Sequence, residues 1–181
     1  MIDAATLAAL AAFPERLSIQ YVSIPVAGRR WMPPSWSGMV GERFNVSEQV
    51  SHLADIETAY HHRFQRLLTE DCPELVSLDG ERLAFERSYA TANCEKALEA
   101  FGTSRAGTME ILTRLSEVEL ARRGTLEDFG GVTIDGLAHH LCAHDHLHLA
   151  AIQWLRGQMT STGHGDLRAD SRAAPRCRTV S

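Results

Sequence analysis

The chain has 181 residues, 44% of them hydrophobic and 23% charged, and a formal net charge of −5. This is the profile of one ordinary globular domain with a sizeable core, and the acidic balance, with no basic stripe interleaved with aromatics, argues against a nucleic-acid or anionic-membrane partner. No apolar run approaches the roughly 20 residues needed to span a bilayer, and the opening Met1-Ile2-Asp3 is acidic where an export signal would be basic, so a cytoplasmic protein is expected.

From Ala4 to Ile24 the residues Leu7, Leu10, Leu17, Tyr21 and Ile24 share one helical face with Pro14 on the same line. An interior proline removes a helical hydrogen bond and crowds the preceding turn, which predicts a kink or a second helix starting at Pro14. Residues 25–44 turn to Pro, Gly, Trp and Ser. They read as an ordered loop, because Trp31 and Trp36 would be costly to leave in water. Asn45 then offers an N-cap with Glu48 completing a capping box, and a helix follows to about Glu70 with the stripe Val46, Val50, Leu53, Ile56, Tyr60, Phe64 and Leu67. His52 touches that stripe, whereas His61 and His62 are expected to face outward.

Asp71 to Gly80, with Pro73 and Asp79-Gly80, is the main connection. A third helix is predicted from Cys94 to Leu115, with Arg105 inside its apolar seam. A guanidinium there needs a carboxylate, and Glu57 is the candidate partner. Arg122-Arg123-Gly124 closes this region, Phe129-Gly130-Gly131 is a turn, and Thr133 is placed to cap a last helix from Ile134 to about Gly157. No segment reads as a strand. Four amphipathic helices imply an all-α four-helix bundle over residues 1–158, followed by an aperiodic tail, 159–181, expected to be disordered. Cys72, Cys94, Cys142 and Cys177 form no C-x-x-C pair and read as reduced thiols.

The last helix holds five of the nine histidines. Ile134, Leu137, Leu141, Ala151 and Leu155 trace its apolar seam, and the gap in that seam is filled by His144 and His148. Residues four apart on a helix share a face, so the two imidazoles can converge on one ion, although a pair of hydrogen-bonded core histidines would give the same pattern. His139 and His146 fall on the outer positions; His140, also four residues from His144, is a competing ligand. If the second and last helices are neighbours, His52 joins His144 and His148, and three nitrogen donors without a thiolate leave positions open for water or substrate, as in catalytic sites. Such a set accepts zinc, nickel or iron. A carboxylate-bridged di-iron site is disfavoured, since Gln49 and Asp145 precede His52 and His148 by three where glutamates would be needed, and no His-Glu-x-x-His occurs.

Glu48 to Glu57, E-Q-V-S-H-L-A-D-I-E, and Ala143 to Ile152, A-H-D-H-L-H-L-A-A-I, resemble the histidine-bearing second and fourth helices of the DinB/YfiT-like superfamily. The A-L-E-A-F-G-T-S-R and F-G-G-V-T-I stretches are also similar, so the resemblance runs from about residue 6 to 157. It implies a left-handed up-down-down-up bundle, often a homodimer, with a divalent metal on His52, His144 and His148. Leu120 departs from the tryptophan many relatives carry nearby, which bears on pocket shape. The resemblance further implies a low-molecular-weight-thiol S-transferase, using bacillithiol, mycothiol or glutathione against an electrophilic or toxic small molecule. Asp145 and Glu57 are then candidates to orient the ligands; a solvated flank position for Asp145 is an equal alternative, and the ion pair with Arg105 is the stronger reading for Glu57. A metal-dependent hydrolase and a stress-response metal-binding protein without catalysis are the alternatives.

Overall fold

A computed structural model describes residues 2–162. Its frame is four long helices: α1 (Ala4–Val22), α2 (Val46–Thr69), α4 (Cys94–Leu112) and α6 (Ile134–Ser161). Two short helices, α3 (Gly80–Glu86) and α5 (Glu117–Leu120), lie in the connections. Each long helix starts where a side chain satisfies otherwise unpaired N–H groups: Asp3, Asn45, Asn93 and Thr133 are the N-caps, and Asn45 with Glu48 forms the expected capping box.

Pro14 neither divides α1 nor starts a new helix; the element is continuous from Ala4 to Val22. The carbonyl that proline deprives of its helical donor belongs to Leu10, and it accepts a 2.9 Å hydrogen bond from Arg105 Nη1 on α4. The third long helix stops at Leu112 rather than Leu115. The last one passes through Gly157 to Ser161, because Leu155 and Met159 beyond the middle of the helix are still buried. The first residues assigned to the tail are therefore helical, and the tail expected to be disordered otherwise lies outside the described residues.

An expectation of no strands is corrected. Three short strands, β1 (Glu74–Leu75), β2 (Arg123–Leu126) and β3 (Gly130–Thr133), form one sheet in the order β1-β2-β3. Strand β2 runs parallel to β1, with Leu126 opposite Leu75, and antiparallel to β3, with Leu126 opposite Gly130. The hairpin between β2 and β3 turns on two left-handed residues, Asp128 (φ 66°) and Gly130 (φ 81°).

Helix α1 packs on α4 and α6, and α2 packs on the same two, so α1 and α2 occupy opposite corners. Contacts along α1 and α6 climb together: Asp3 meets His139, Arg16 meets His146 and Gln20 meets Arg156. Along α2 and α6 they run in opposite senses, Gln49 meeting His148 and Tyr60 meeting His140. Two apolar clusters fill the bundle. One gathers Leu10, Phe64, Leu112 and Leu141; the other gathers Phe13, Leu53, Phe101 and Ile152. Between them, at mid-height on α2, α4 and α6, lies a buried polar layer of Gln49, His52, Glu57, Arg105, Thr108, Asp145 and His148. Polar groups that deep persist only when partnered.

Among the described residues no helix is long and apolar enough to cross a membrane.

Candidate metal centre

Helix α2 presents His52 one turn before Ile56, and α6 presents His144 and His148 on successive turns. The structure brings all three together, with one donor atom from each within 4.8 Å of the others. His52 Nε2 lies 3.4 Å from His144 Nε2, which lies 3.1 Å from His148 Nε2. His52 and His148 are buried, at 1% and 2% exposure. The ring of His52 is held by Phe44, at 5.3 Å between centroids, and by Tyr89 edge-on at 6.4 Å.

Two possibilities compete for such a cluster: a hydrogen-bonded histidine knot or a cation site. A neutral imidazole carries a single N–H. His148 spends its proton on Nδ1, which donates to Gln49 Oε1, while the amide of Gln49 is fixed by its own donation to Phe44 O at 3.2 Å. His148 Nε2 is therefore a lone pair. His52 Nδ1 and His144 Nδ1 are buried with no hydrogen-bond partner among the described residues, but these atoms face away from the cluster and stay unpartnered in either case, so the facing Nε2 atoms decide between the two. A cation satisfies all three facing lone pairs at once. Bonds of about 2.0–2.1 Å to zinc at tetrahedral angles separate nitrogens by about 3.3–3.4 Å, close to the spacing seen. Protonation state agrees: burial lowers His52 to about 4. Burial, with His52 nearby, lowers His144 to about 3, and burial with His144 and His52 lowers His148 to about 2. All three are neutral donors near pH 7.

The cluster opens on a cavity of about 230 Å³. Its walls come from several elements: Ile56, Tyr60 and Arg63 of α2, Ser77 and Leu78 after β1, Leu126 of β2 and Phe129 of the hairpin, with His140 and His144 of α6. The small sheet thus supplies a side of the pocket. Glu42, from the loop before α2, completes the rim, with Oε2 4.0 Å from His148 Nε2. Gly80 admits this arrangement, since a Cβ there would meet Glu42 Oε1 at 3.0 Å and His52 Cε1 at 3.1 Å.

His140, the competing ligand, is engaged elsewhere: its Nδ1 hydrogen-bonds the Tyr60 hydroxyl, and it stands apart from the three-histidine cluster. His139 is exposed as expected, but His146 is half-buried beside Phe13 and Arg16. His61 does not face outward either; it leans on Thr108 and is so close to α4 that a Cβ at Gly107 would lie 2.9 Å from its ring.

Arg105 finds the partner expected for it. Glu57 Oε2 accepts from its Nε at 2.9 Å and its Nη2 at 2.6 Å. Asp145 Oδ2 adds an ion pair, 2.8 Å from Arg105 Nη2. Asp145 and Glu57 therefore neutralise Arg105; neither orients a histidine, and Asp145, 1% exposed, is no solvated flank residue. The group that does orient one of the three histidines is Gln49. Sequence reasoning missed it, along with Glu42 and Arg63; the only signal was a glutamine one turn before His52 on the same face.

The sequence profile of the DinB superfamily matches residues 4–152. The solved structure of YfiT from Bacillus subtilis, described as a probable metal-dependent hydrolase with an unusual four-helix bundle topology, is similar in fold, with a TM-score of 0.76 and 21% identity over 86% of each chain. No curated protein matches the chain.

Proposed function

The chain belongs to the DinB superfamily, and from that premise we propose that it is a divalent-metal-dependent enzyme that activates a low-molecular-weight thiol, such as bacillithiol or mycothiol, for transfer to an electrophilic small molecule. The observation that carries the reading is the convergence of three neutral imidazole nitrogens, His52, His144 and His148, two of which, His52 and His144, line an open cavity. Three such ligands leave coordination positions to a substrate. Bound there, a divalent ion supplies Lewis acidity, lowering the pKa of a coordinated thiol or water.

The chain's own residues account for the rest. Gln49 holds His148 with its Nε2 lone pair inward. Glu42 stands where it can take the proton a thiol gives up, within reach of the cluster. Ile56, Leu78, Leu126 and Phe129 give the electrophile apolar surface to rest on beside the sulfur. A lone pair of the sulfur then forms the new C–S bond as the electrophile's bond to its leaving group breaks; the leaving group departs with that electron pair, chloride in the case of monochlorobimane, and Glu42 releases the thiol proton to it or to solvent. The same reading takes the bundle as left-handed and up-down-down-up; the cross-helix contacts that climb together between α1 and α6 and oppositely between α2 and α6 support the relative senses of those three helices.

One observation favours a second reading. A carboxylate beside three metal-binding nitrogens also suits a general base for water, and the similar fold of YfiT is described as a probable hydrolase. Incubating metal-loaded protein with each thiol and monochlorobimane separates the two. Metal-dependent thiol consumption is the expected result; hydrolysis of ester substrates without any thiol would replace the first reading with the second.

A further inference from the structure

Among the described residues two arginines are buried, and they differ in one respect. Arg105, 1% exposed, is met by Glu57 and Asp145. Arg63, 8% exposed, has no carboxylate partner among the described ion pairs. Glu57 and Asp145 are committed to Arg105, and Glu42 faces His148. Arg63 donates one Nη2 hydrogen bond to Val76 O at 2.6 Å and rests its guanidinium over the Tyr60 ring, 4.8 Å from the centroid. A guanidinium has five N–H donors, so most are unassigned. Burial lowers its pKa, as expected for a desolvated cation short of counter-charge.

Its position gives that imbalance a use. Arg63 lines the same cavity as His52 and His144. Along α2 it lies eleven residues after His52, roughly 16 Å of helix rise, and helical side chains lean toward the N-terminus, here toward the histidines. Between the two ends Ile56, Leu126 and Phe129 give the wall an apolar side, with Tyr60 and His140 on α2 and α6 beside it. We propose that Arg63 anchors a carboxylate on the small molecule that reacts at the histidine cluster, so that the pocket selects an elongated ligand with an apolar body, its anionic end on Arg63 and its reactive end at the three imidazoles. Arg suits this task because its planar fork matches a carboxylate in two parallel hydrogen bonds. The carboxylate could belong to the thiol or to its electrophile, and either source satisfies the assignment. The reactive-end part rests on the function proposed above; the anion site itself does not.

The test is binding, read by calorimetry on the full chain, with hexanoate, hexanol and 6-mercaptohexanoate as probes. Wild-type protein, with or without metal, should bind hexanoate at least tenfold more tightly than hexanol. Arg63→Gln should remove that preference, and Arg63→Lys should retain part of it. Tighter binding of 6-mercaptohexanoate than of hexanoate to the metal-loaded form would place the carboxylate on the thiol, and equal binding would place it on the electrophile. Equal wild-type affinity for hexanoate and hexanol, which requires no variant to fold, would overturn the anchor. Thiol consumption persisting in that case would show that the anchor alone has failed. Arg63-dependent hexanoate binding in a protein without metal or thiol activity would show that only the function has failed.

Discussion

Gln49 and His148 stand on different helices and meet through one hydrogen bond, Nδ1–H of the imidazole to the amide oxygen. That bond decides which nitrogen of His148 faces its two neighbours. Outer partners of this kind typically contribute 10–100-fold in metal affinity. Gln49→Ala should weaken metal binding by that factor while leaving the helical content intact, as measured by competition with a chromogenic chelator. Unchanged affinity would mean that the tautomer is set by something else.

Arg105 ties three elements: the Glu57 and Asp145 carboxylates and the Leu10 carbonyl left free by Pro14. Removing one partner of a buried ion pair strands the others, at about 3–5 kcal/mol. Arg105→Ala should lower the unfolding free energy in urea by that amount. A loss under about 1 kcal/mol would show that Glu57 and Asp145 do not depend on it.

Acid should unfold the metal-stripped protein through its histidines. Their folded values of about 4, 3 and 2 lie below the ordinary 6.5. The unfolded chain therefore binds more protons below about pH 6.5, and stability present above that pH is lost as pH falls, by up to about 1.4 kcal/mol per pH unit for each unmatched proton. Asp145 acts in the opposite sense: burial pushes it up to about 7, so the folded state takes its proton first and offsets one histidine. Urea midpoints between pH 7.5 and 5 should fall for the wild type and fall less for His144→Gln. Parallel curves would contradict the assignment.

Glu42→Gln keeps the shape of the rim and removes the proton acceptor. Metal content should stay at the wild-type level, while thiol transfer drops by about 10²–10⁴, the usual contribution of a placed general base. An unaltered rate would leave Glu42 with a structural part only.

The four helices were legible because apolar residues at threes and fours leave a periodic trace, and the histidine cluster was legible because His144 and His148 interrupt such a trace. The sheet was not. Strands of two to four residues, in which Leu75, Leu126 and Val132 are the large apolar positions, one to a strand, give no measurable alternation. Glu42 sits in a loop without period, so nothing local marks it. Arg63 was hidden beside Tyr60 and Phe64 because a long aliphatic stem fits an apolar face while its head reaches a cavity. Gly157 misled as a terminus, since burial of Met159 outweighs the propensity of one glycine.

The central claim is that three imidazoles from two helices hold one cation. Elemental analysis of the purified chain beside His52→Ala, His144→Ala and His148→Ala tests it directly. About one divalent ion per wild-type chain, and little in any variant that keeps its helical circular dichroism, is the predicted result; equal metal content in all four proteins would contradict it.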